Sequence, residues 1–293
     1  MRKAVVLLLT LGVTCIIVAA LIAQSLVILQ RVAAVSDVRG FVWVKQRGAA
    51  EFVALAGRER VAAGDTLRTG DGASLNLHWL DGTRMRLGPN SVVTILKCQI
   101  NSMTKAETSL FRLDLGRVWI RVLKTLSNKS KFEVMTPTAT AGVRGTVFSV
   151  AVDPAGKTVV SVIEGKVMVK GDHAEEAVVP GKMAQGGQVL PQLSREEDNL
   201  WSQNRSIAGP NLELREPLAG RVVAPGSLVD VRGVSEAGAR VAVNGQEAPV
   251  RLQGLFNSSV TAPLKPGSFT IKVTARDRRG YVSTEEVKVA VRK

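Results

Sequence analysis

Apolar and polar residues alternate along most of the chain after Val35, and this alternation constrains the fold more than any other feature of the sequence. In the segment ASLNLHWL, Leu75 and Leu77 fall on one side of an extended chain, while Asn76 and His78 fall on the other. Gly, Asp, Asn and Pro separate these short segments at frequent intervals. The pattern predicts a mainly β protein, a sandwich or roll of short strands, rather than alternating strands and helices.

The N-terminus carries a different signal. Residues 4–30 contain no charged side chain, and a helix of that length would exceed the ~30 Å hydrocarbon core of a membrane. We interpret residues 1–31 as an uncleaved signal anchor, which is an N-terminal transmembrane helix. A signal peptide cleaved near residues 32–34 and a buried helix of a soluble protein are the alternatives.

The charges that flank this apolar run do not decide its orientation, because Arg2 and Lys3 face Arg31 and Arg39 across it. Only three residues precede the run, as in a secretory signal, so we expect the rest of the chain to lie outside the cytoplasm. The predicted location is the cytoplasmic membrane, spanned once, with periplasmic or extracellular C-terminal domains. Cleavage of the segment would instead give a secreted protein.

The net charge narrows the choice of partners. The chain has 39 Lys and Arg against 25 Asp and Glu, a formal charge of +14, without a run of like charges. Such a diffuse field favours encounters with polyanions. Nucleic acid is disfavoured, since base stacking needs aromatic side chains and the chain has one Tyr, four Trp and seven Phe. Cys15, in the apolar run, and Cys98 predict no intrachain disulfide.

Five segments within residues 35–190 follow one another in a recognisable order. They are VSDVRGFVWVK, VAAGDTLRTGDGASLNLHWLDGTRMRLGPNSVVTIL, LDLGRVWIRV, FEVMTPTATAGVRGTVFSVAVD and a last segment that runs from VVSVIEGKVMVKG to VVPGKMA. Together they resemble the FecR-type domain, the periplasmic module of the iron-dicitrate transmembrane regulator. The resemblance implies a β-rich, extracytoplasmic module without catalytic residues. The structural signature positions are Gly64, Asp65, Thr69, Gly70, Asp81, Gly82, Thr83, Thr136, Pro137, Arg144, Gly145, Thr146 and Gly165.

The chain departs from the regulators of that family at its start. The resemblance implies a cytoplasmic N-terminal region that engages a sigma factor, but here only Met1, Arg2 and Lys3 precede the apolar run. We therefore expect that this chain does not signal to a sigma factor by itself.

Two further parts follow the FecR-like domain. Residues 191–215 contain the sequence SREE, whose spacing is that of a capping box, and this predicts a short helical linker. Residues 216–293 return to short alternating segments and resemble bacterial Ig-like modules of the glucodextranase type, which implies an Ig-like β-sandwich. Within it, Asn244 and Gly245 predict a tight hairpin turn.

The motif TPTATAGVRGTVFSV, residues 136–150, raises the question of a catalytic or phosphate-binding site. It lacks the Lys of a P-loop, and it continues as a strand pattern rather than as a helix that could hold an anion. We interpret it as a structural strand start, with anion binding by Arg144 as the alternative. Nothing in the sequence supplies a base that would make Thr146 a nucleophile.

The sequence does not indicate a metal site or a Ser-His-Asp catalytic triad. The two histidines, His78 and His173, are far apart in the sequence. Asp65, Asp71 and Asp81 lack the close spacing of a calcium loop, and turn chemistry accounts for each of them. The sequence therefore predicts no catalytic residue, no metal site and no cofactor, and a protein that is not an enzyme.

Two hypotheses about function follow. The favoured one is a membrane-tethered, extracytoplasmic binding or scaffold protein of the bacterial envelope, held at the cytoplasmic membrane by its N-terminal helix. Its partner would be an envelope protein or an anionic or cell-wall polysaccharide. The alternative is a transmembrane signalling subunit of the FecR type that acts through a partner and lacks an anti-sigma domain of its own.

Overall fold

The alternating segments form β-strands, as their period of two predicts. The chain divides into two compact units between Leu193 and Ser194, and each unit has its own hydrophobic core. The computed structural model describes residues 28–57, 59–123, 127–171, 174–186, 188–278 and 280–292.

The first unit consists, within its described residues, of strands and the loops that join them. In chain order the strands are β1 (Ile28–Gln30), β2 (Ala33–Arg39), β3 (Val42–Lys45), β4 (Val53–Ala54), β5 (Arg60–Val61), β6 (Thr66–Thr69), β7 (Ser74–His78), β8 (Arg84–Leu87), β9 (Val92–Asn101), β10 (Glu107–Val122), β11 (Lys131–Met135), β12 (Thr140–Val143), β13 (Thr146–Val152), β14 (Thr158–Glu164), β15 (Val167–Lys170), β16 (Glu175–Val178), β17 (Met183–Gln185) and β18 (Gln188–Leu190).

Two sheets share the long strand β10. Up to Leu115 this strand pairs with β9 on one side and, in parallel, with β11 on the other. From Gly116 onward it pairs with β13 and β8 instead. At this change of sheet a Cβ on Gly116 would lie 2.3 Å from Ser91 Oγ, and φ is +86°, so both space and backbone require glycine.

Each sheet extends on both sides of β10. The first sheet runs from β9 through β6 and β3 to β4, and from β11 through β12 and β15 to β16, with β1 also paired to β9. The second runs from β8 through β7 and β2 to β5, and from β13 through β14 and β17 to β18. The first unit is thus a β-roll in which one strand belongs to both sheets.

The core of the first unit is formed by the inward residues of both sheets. A chain of ring contacts crosses it, from Trp79 to Phe111 at 5.5 Å, then to Phe132 at 5.2 Å and to Phe148 at 6.4 Å between centroids. Phe111 and Phe148 are at most 1% exposed. Each such buried ring stabilises the fold by about 2–3 kcal/mol relative to an exposed one.

The predicted transmembrane helix over residues 1–31 is corrected by the structure at its C-terminal end. Residues Ile28–Gln30 form strand β1, paired antiparallel with Asn101 to Gln99 of β9, and the Arg31 amide donates to the Cys98 carbonyl at 2.8 Å. These backbone groups are satisfied by a neighbouring strand rather than by a helical turn. Residues 1–27, including Cys15, lie outside the described residues. Among the residues that are described, we find no helix with the length and apolarity needed to cross a membrane.

The second unit begins with helix α1 (Arg195–Asn204) and a 3₁₀ turn (Arg205–Ile207). Ser194 Oγ accepts a hydrogen bond from the Glu197 amide at 3.2 Å, so Ser194 is the N-cap of the helix. Three acidic residues in the first turn favour this helix start through the helix dipole. The predicted division into a linker at 191–215 and a domain at 216–293 stays a prediction.

The rest of the second unit is a two-sheet β-sandwich. One sheet has three strands in the order β19, β21, β24, and the other has five in the order β20, β26, β25, β22, β23. The core between them contains Val231 and Phe256 from one sheet and Ile271 and Val289 from the other. The strands are β19 (Leu212–Glu216), β20 (Val222–Val223), β21 (Leu228–Ser235), β22 (Arg240–Val243), β23 (Gln246–Ala248), β24 (Leu255–Thr261), β25 (Gly267–Arg276) and β26 (Val282–Val291).

Candidate functional site

The signature pair Gly64 and Asp65 lies in the turn before β6. Asp65 is 8% exposed, and its two carboxylate oxygens each accept a backbone hydrogen bond at 2.9 Å, one from Arg47 and one from Ala62. Gly64 has φ +102°, and a Cβ there would lie 2.6 Å from the Arg47 side chain. The carboxylate therefore holds two loops together, which is a structural task.

Thr69 and Gly70, at the end of β6, connect three segments. The Thr69 hydroxyl donates to the Gly88 carbonyl at 2.6 Å and accepts from the Ser91 amide at 2.8 Å. The Gly70 amide donates to the Phe41 carbonyl at 2.9 Å. These bonds fix the end of β6 against the loop that precedes β3 and against the turn between β8 and β9.

Asp81, Gly82 and Thr83 form the turn between β7 and β8. Asp81 Oδ1 accepts from the Thr83 amide at 3.1 Å, and Oδ2 accepts from the Thr83 hydroxyl at 2.8 Å. Gly82 has φ +84°, as the tight turn requires. Asp81, like Asp65, therefore accepts hydrogen bonds in a turn. Among the described residues there is no group of His, Cys, Asp and Glu side chains that could hold a metal ion.

The same aspartate takes part in a group of buried charges, here called the Arg31 cluster (Arg31, Asp81, Glu107). The Arg31 guanidinium forms an ion pair with Asp81, approaches the Glu107 carboxylate at 3.6 Å and donates to Ser109 Oγ at 3.2 Å. The three charged side chains are 13–19% exposed. Burial raises the pKa of Glu107; the positive charge of Arg31 opposes this shift, and Asp81 adds to it.

A cavity of about 20 Å³ lies beside the Arg31 cluster and is also lined by Thr83, Arg144 and Gly145. It brings together two signature segments that are distant in the sequence. Its volume suits about one water molecule and no larger ligand. Arg144 is exposed and donates to Asn128 Oδ1 at 2.7 Å, so its guanidinium contacts an uncharged amide.

Thr136 and Pro137 open the loop before β12. The Thr136 hydroxyl lies 2.7 Å from that of Thr158, which in turn lies 2.8 Å from the hydroxyl of Thr138. Next to these hydroxyls is a cavity of about 430 Å³, lined also by apolar residues such as Val160. Such a volume falls in the range of small-molecule sites, but the hydroxyls bond to one another rather than to a base.

Gly165 follows β14 and lies against the motif at 144–146. A Cβ on Gly165 would lie 2.6 Å from the Gly145 carbonyl oxygen and 2.8 Å from Thr146 Cγ2. Thr146 is 1% exposed at the start of β13. Within the described residues its hydroxyl has no hydrogen-bond partner, so no base activates it.

Burial shifts the pKa values of both His78 and Cys98. Burial and the neighbouring Arg84 lower the pKa of His78 to about 4, while Asp37 opposes the shift. Cys98 is fully buried in the core, and burial raises the pKa of its thiol, which makes it inert. His173 lies outside the described residues.

One surface was not predicted from the sequence; it is here called the aromatic–cation surface (Phe41, Trp43, Lys45, Phe52, Arg68). The Arg68 guanidinium carbon lies 4.9 Å from the ring centroid of Trp43 and 4.7 Å from that of Phe52. Lys45 Nζ lies 5.6 Å from the Phe52 ring. Phe41 stacks on Trp43 with 6.2 Å between centroids and is 77% exposed.

The sheet positions these side chains. Trp43 and Arg68 are direct partners in the pairing of β3 with β6, so their side chains emerge together on the outer face. A Cβ on the signature residue Gly70 would lie 3.4 Å from the Trp43 ring. The signal available in the sequence was the alternation VWVK opposite TLRT, but Phe52 comes from the loop before β4 and could not be inferred.

In the second unit, Asn244 and Gly245 occupy the two-residue turn between β22 and β23. Both have positive φ, +49° and +84°, as a type I′ turn needs. Asn244 Oδ1 also accepts from the Lys272 amide of β25 at 2.8 Å. This turn is structural and carries no chemistry.

Comparison with known proteins identifies one family. Residues 65–168 match the family described as FecR protein. Two crystal structures of candidate anti-sigma factors from Parabacteroides distasonis are similar, one at 18% identity over 54% of this chain and 76% of theirs, the other at 14% over 75% and 98%, both with a TM-score of 0.38. Fibronectin(III)-like modules of CbhA from Clostridium thermocellum give 16% identity, 68% and 94% coverage and a TM-score of 0.24.

TM-scores this low do not establish that the chain shares the fold of these structures. The comparison with curated proteins finds no match. The family match covers strands β6 to β14 and the start of β15, together with all the signature positions from Asp65 to Gly165. The first unit of the chain therefore contains a FecR-type domain.

Proposed function

We propose that this protein is a regulatory subunit that relays a signal by binding a protein partner through its FecR-type domain, without catalysing a reaction. The observation that carries the proposal is the family match over residues 65–168, which spans strands of both sheets of the first unit. The signature side chains support it, because Asp65, Thr69 and Asp81 serve backbone and ion-pair contacts rather than a reaction.

We also propose that both units lie outside the cytoplasm, in the cell envelope. The FecR-type match supports this location. Proteinase treatment of intact spheroplasts, with a tag at the C-terminus, tests it: we expect loss of the tag, and protection of the tag until lysis would contradict the proposal.

The regulatory role is tested by deleting the gene and measuring sigma-dependent transcripts. We expect a defined set of transcripts to change and to recover when the full chain is expressed again. If no sigma-dependent transcript changes under any growth condition in which the protein is present, the regulatory role is rejected.

A second candidate function is a scaffold that holds an anionic cell-wall polysaccharide. The observation that favours it is the excess of positive charge, 39 basic against 25 acidic side chains. Retention of the full chain on purified cell walls at low salt, with release at about 0.5 M NaCl, is the expected result, since screening removes such attraction. Lack of retention at low salt would reject this role.

A further inference from the structure

We propose that the aromatic–cation surface is the docking site for an acidic segment of a protein partner, with Arg68 as its main contact. The inference deepens the regulatory role proposed above and rests on it for the class of partner. The surface lies on strands β3 and β6 and on the loop before β4.

The first argument is the state of the two cations. Within the part of the chain that the structure describes, Arg68 and Lys45 have aromatic rings as neighbours and no carboxylate within ion-pair distance. Arg112 of this unit is in the opposite state, since it lies 3.0 Å from the Asp114 carboxylate. A basic pair without a counter-charge attracts an acidic group.

The second argument is the geometry of the guanidinium. A guanidinium can lie over an aromatic ring and still carry its N–H groups at its edge. Arg68 is exposed and has no ion pair among the described residues, so its fork can bind a carboxylate through two parallel hydrogen bonds.

The third argument concerns the kind of occupant. A sugar or a nucleic-acid base stacks on the open face of a ring, and Phe41 is the exposed ring of this surface. The rings of Trp43 and Phe52 are instead in contact with cations, and Trp43 also stacks with Phe41. What remains accessible is a set of hydrogen-bond donors beside the exposed ring of Phe41. This combination matches a polypeptide with carboxylate and apolar side chains.

The fourth argument is the rigidity of the support. Trp43 and Arg68 stand on paired strands, and the bonds of Thr69 and Gly70 fix the end of β6. A surface that is already ordered loses little conformational entropy when a partner binds. Trp and Arg are also the residue types that most often dominate the energy of protein interfaces.

The test uses the full chain and a fluorescein-labelled decaglutamate peptide as the probe, with binding followed by anisotropy at about 50 mM NaCl. In the variant Arg68→Lys the charge stays but the planar fork is lost, so we expect the affinity to fall at least about tenfold. Lys97→Gln, which removes an exposed charge from β9, is the matched control, and we expect a change below about twofold. Equal affinities of Arg68→Lys and wild type would overturn the inference.

Polygalacturonate, a carboxylated polysaccharide, distinguishes the occupants. If it binds more tightly than decaglutamate and loses more affinity in Arg68→Lys, the occupant is a glycan and the inference of a protein segment is rejected. If Arg68→Lys does not fold, Phe52→Leu decides, since it removes one ring from Arg68 and should weaken peptide binding about threefold. Unchanged binding in Phe52→Leu would then reject the inference.

The outcome is separable from that of the regulatory role. Unchanged transcripts together with Arg68-dependent peptide binding would reject the regulatory role and leave the docking surface standing. Changed transcripts together with peptide binding that does not depend on Arg68 would support the regulatory role and reject the docking surface.

Discussion

Two arginines of the first unit have opposite surroundings. Arg31 is 13% exposed and is held by two carboxylates and a hydroxyl, whereas Arg68 is exposed and contacts two aromatic rings. Both belong to the same network of paired strands. The difference is that Arg31 has carboxylate partners within the chain, whereas Arg68 has none among the described residues.

This contrast separates a contact that stabilises the fold from a surface proposed to bind a partner. A buried cation must be paired, because an unmatched charge in the interior costs several kcal/mol. An exposed cation can stay unmatched at little cost, and it is then free to meet a partner. We therefore expect substitutions in the Arg31 cluster to change stability, and substitutions at the aromatic–cation surface to change binding.

The largest expected effect comes from breaking the Arg31 cluster. Arg31→Met should lower the free energy of unfolding by about 3 kcal/mol, because it leaves the carboxylates of Asp81 and Glu107 without their cation. Urea denaturation followed by circular dichroism measures this loss. The control is Arg112→Met, whose partner Asp114 is 42% exposed, and we expect a change below about 1 kcal/mol. Equal losses in the two variants would mean that burial does not distinguish them.

The next largest effect on stability is expected at Asp65, whose carboxylate holds together the two loops next to β3 and β6. Asp65→Asn replaces one of two accepting oxygens by an NH₂ group, which would face a backbone N–H, so we expect a loss of about 2 kcal/mol. Thermal unfolding checks this. Asp71→Asn is a suitable control, because Asp71 is exposed. If Asp65→Asn is as stable as wild type, the carboxylate does not hold the two loops.

The contrast between these two regions also shows what the sequence could reveal. Strands and turns were predictable because their signals are local: a period of two in β7, and the Asp81–Gly82 pair in the turn that follows. The signature positions of the FecR-like domain were recognisable as a pattern in the sequence. Their tasks, such as the two backbone hydrogen bonds of the Asp65 carboxylate, became visible only in the structure.

Both arginine sites escaped prediction because their members meet only in the folded chain. The Arg31 cluster joins the residue after β1, the turn after β7 and the start of β10. The ring of Phe52 reaches Arg68 from a loop. The transmembrane prediction failed at Ile28–Gln30 for a related reason, since hydrophobicity does not tell whether a neighbouring strand satisfies the backbone.

A smaller effect is expected from pH at the Arg31 cluster. The pKa of Glu107 is raised above 4.5, so the folded chain binds its proton more tightly than the unfolded chain. The resulting stability is present below the unfolded pKa and is lost as the pH rises through the folded pKa. The variant Glu107→Gln has no titratable group at this position. Its free energy of unfolding, relative to that of the wild type, should therefore increase from about pH 4 to about pH 7. Denaturation curves at both pH values check this. A decrease in the relative free energy of unfolding would mean that the pKa of Glu107 is lowered in the folded chain rather than raised.

The smallest effect on stability is expected at the aromatic–cation surface. Arg68→Met keeps an apolar side chain against the rings of Trp43 and Phe52 and removes a charge that has no carboxylate partner among the described residues. The cation–ring attraction at an exposed site is worth about 0.5–1 kcal/mol, so urea denaturation should show no larger loss. A loss as large as that of Arg31→Met would mean that Arg68 is a structural residue. A near-neutral result would show that the fold does not depend on this guanidinium, so selection for stability alone does not account for its position beside two rings.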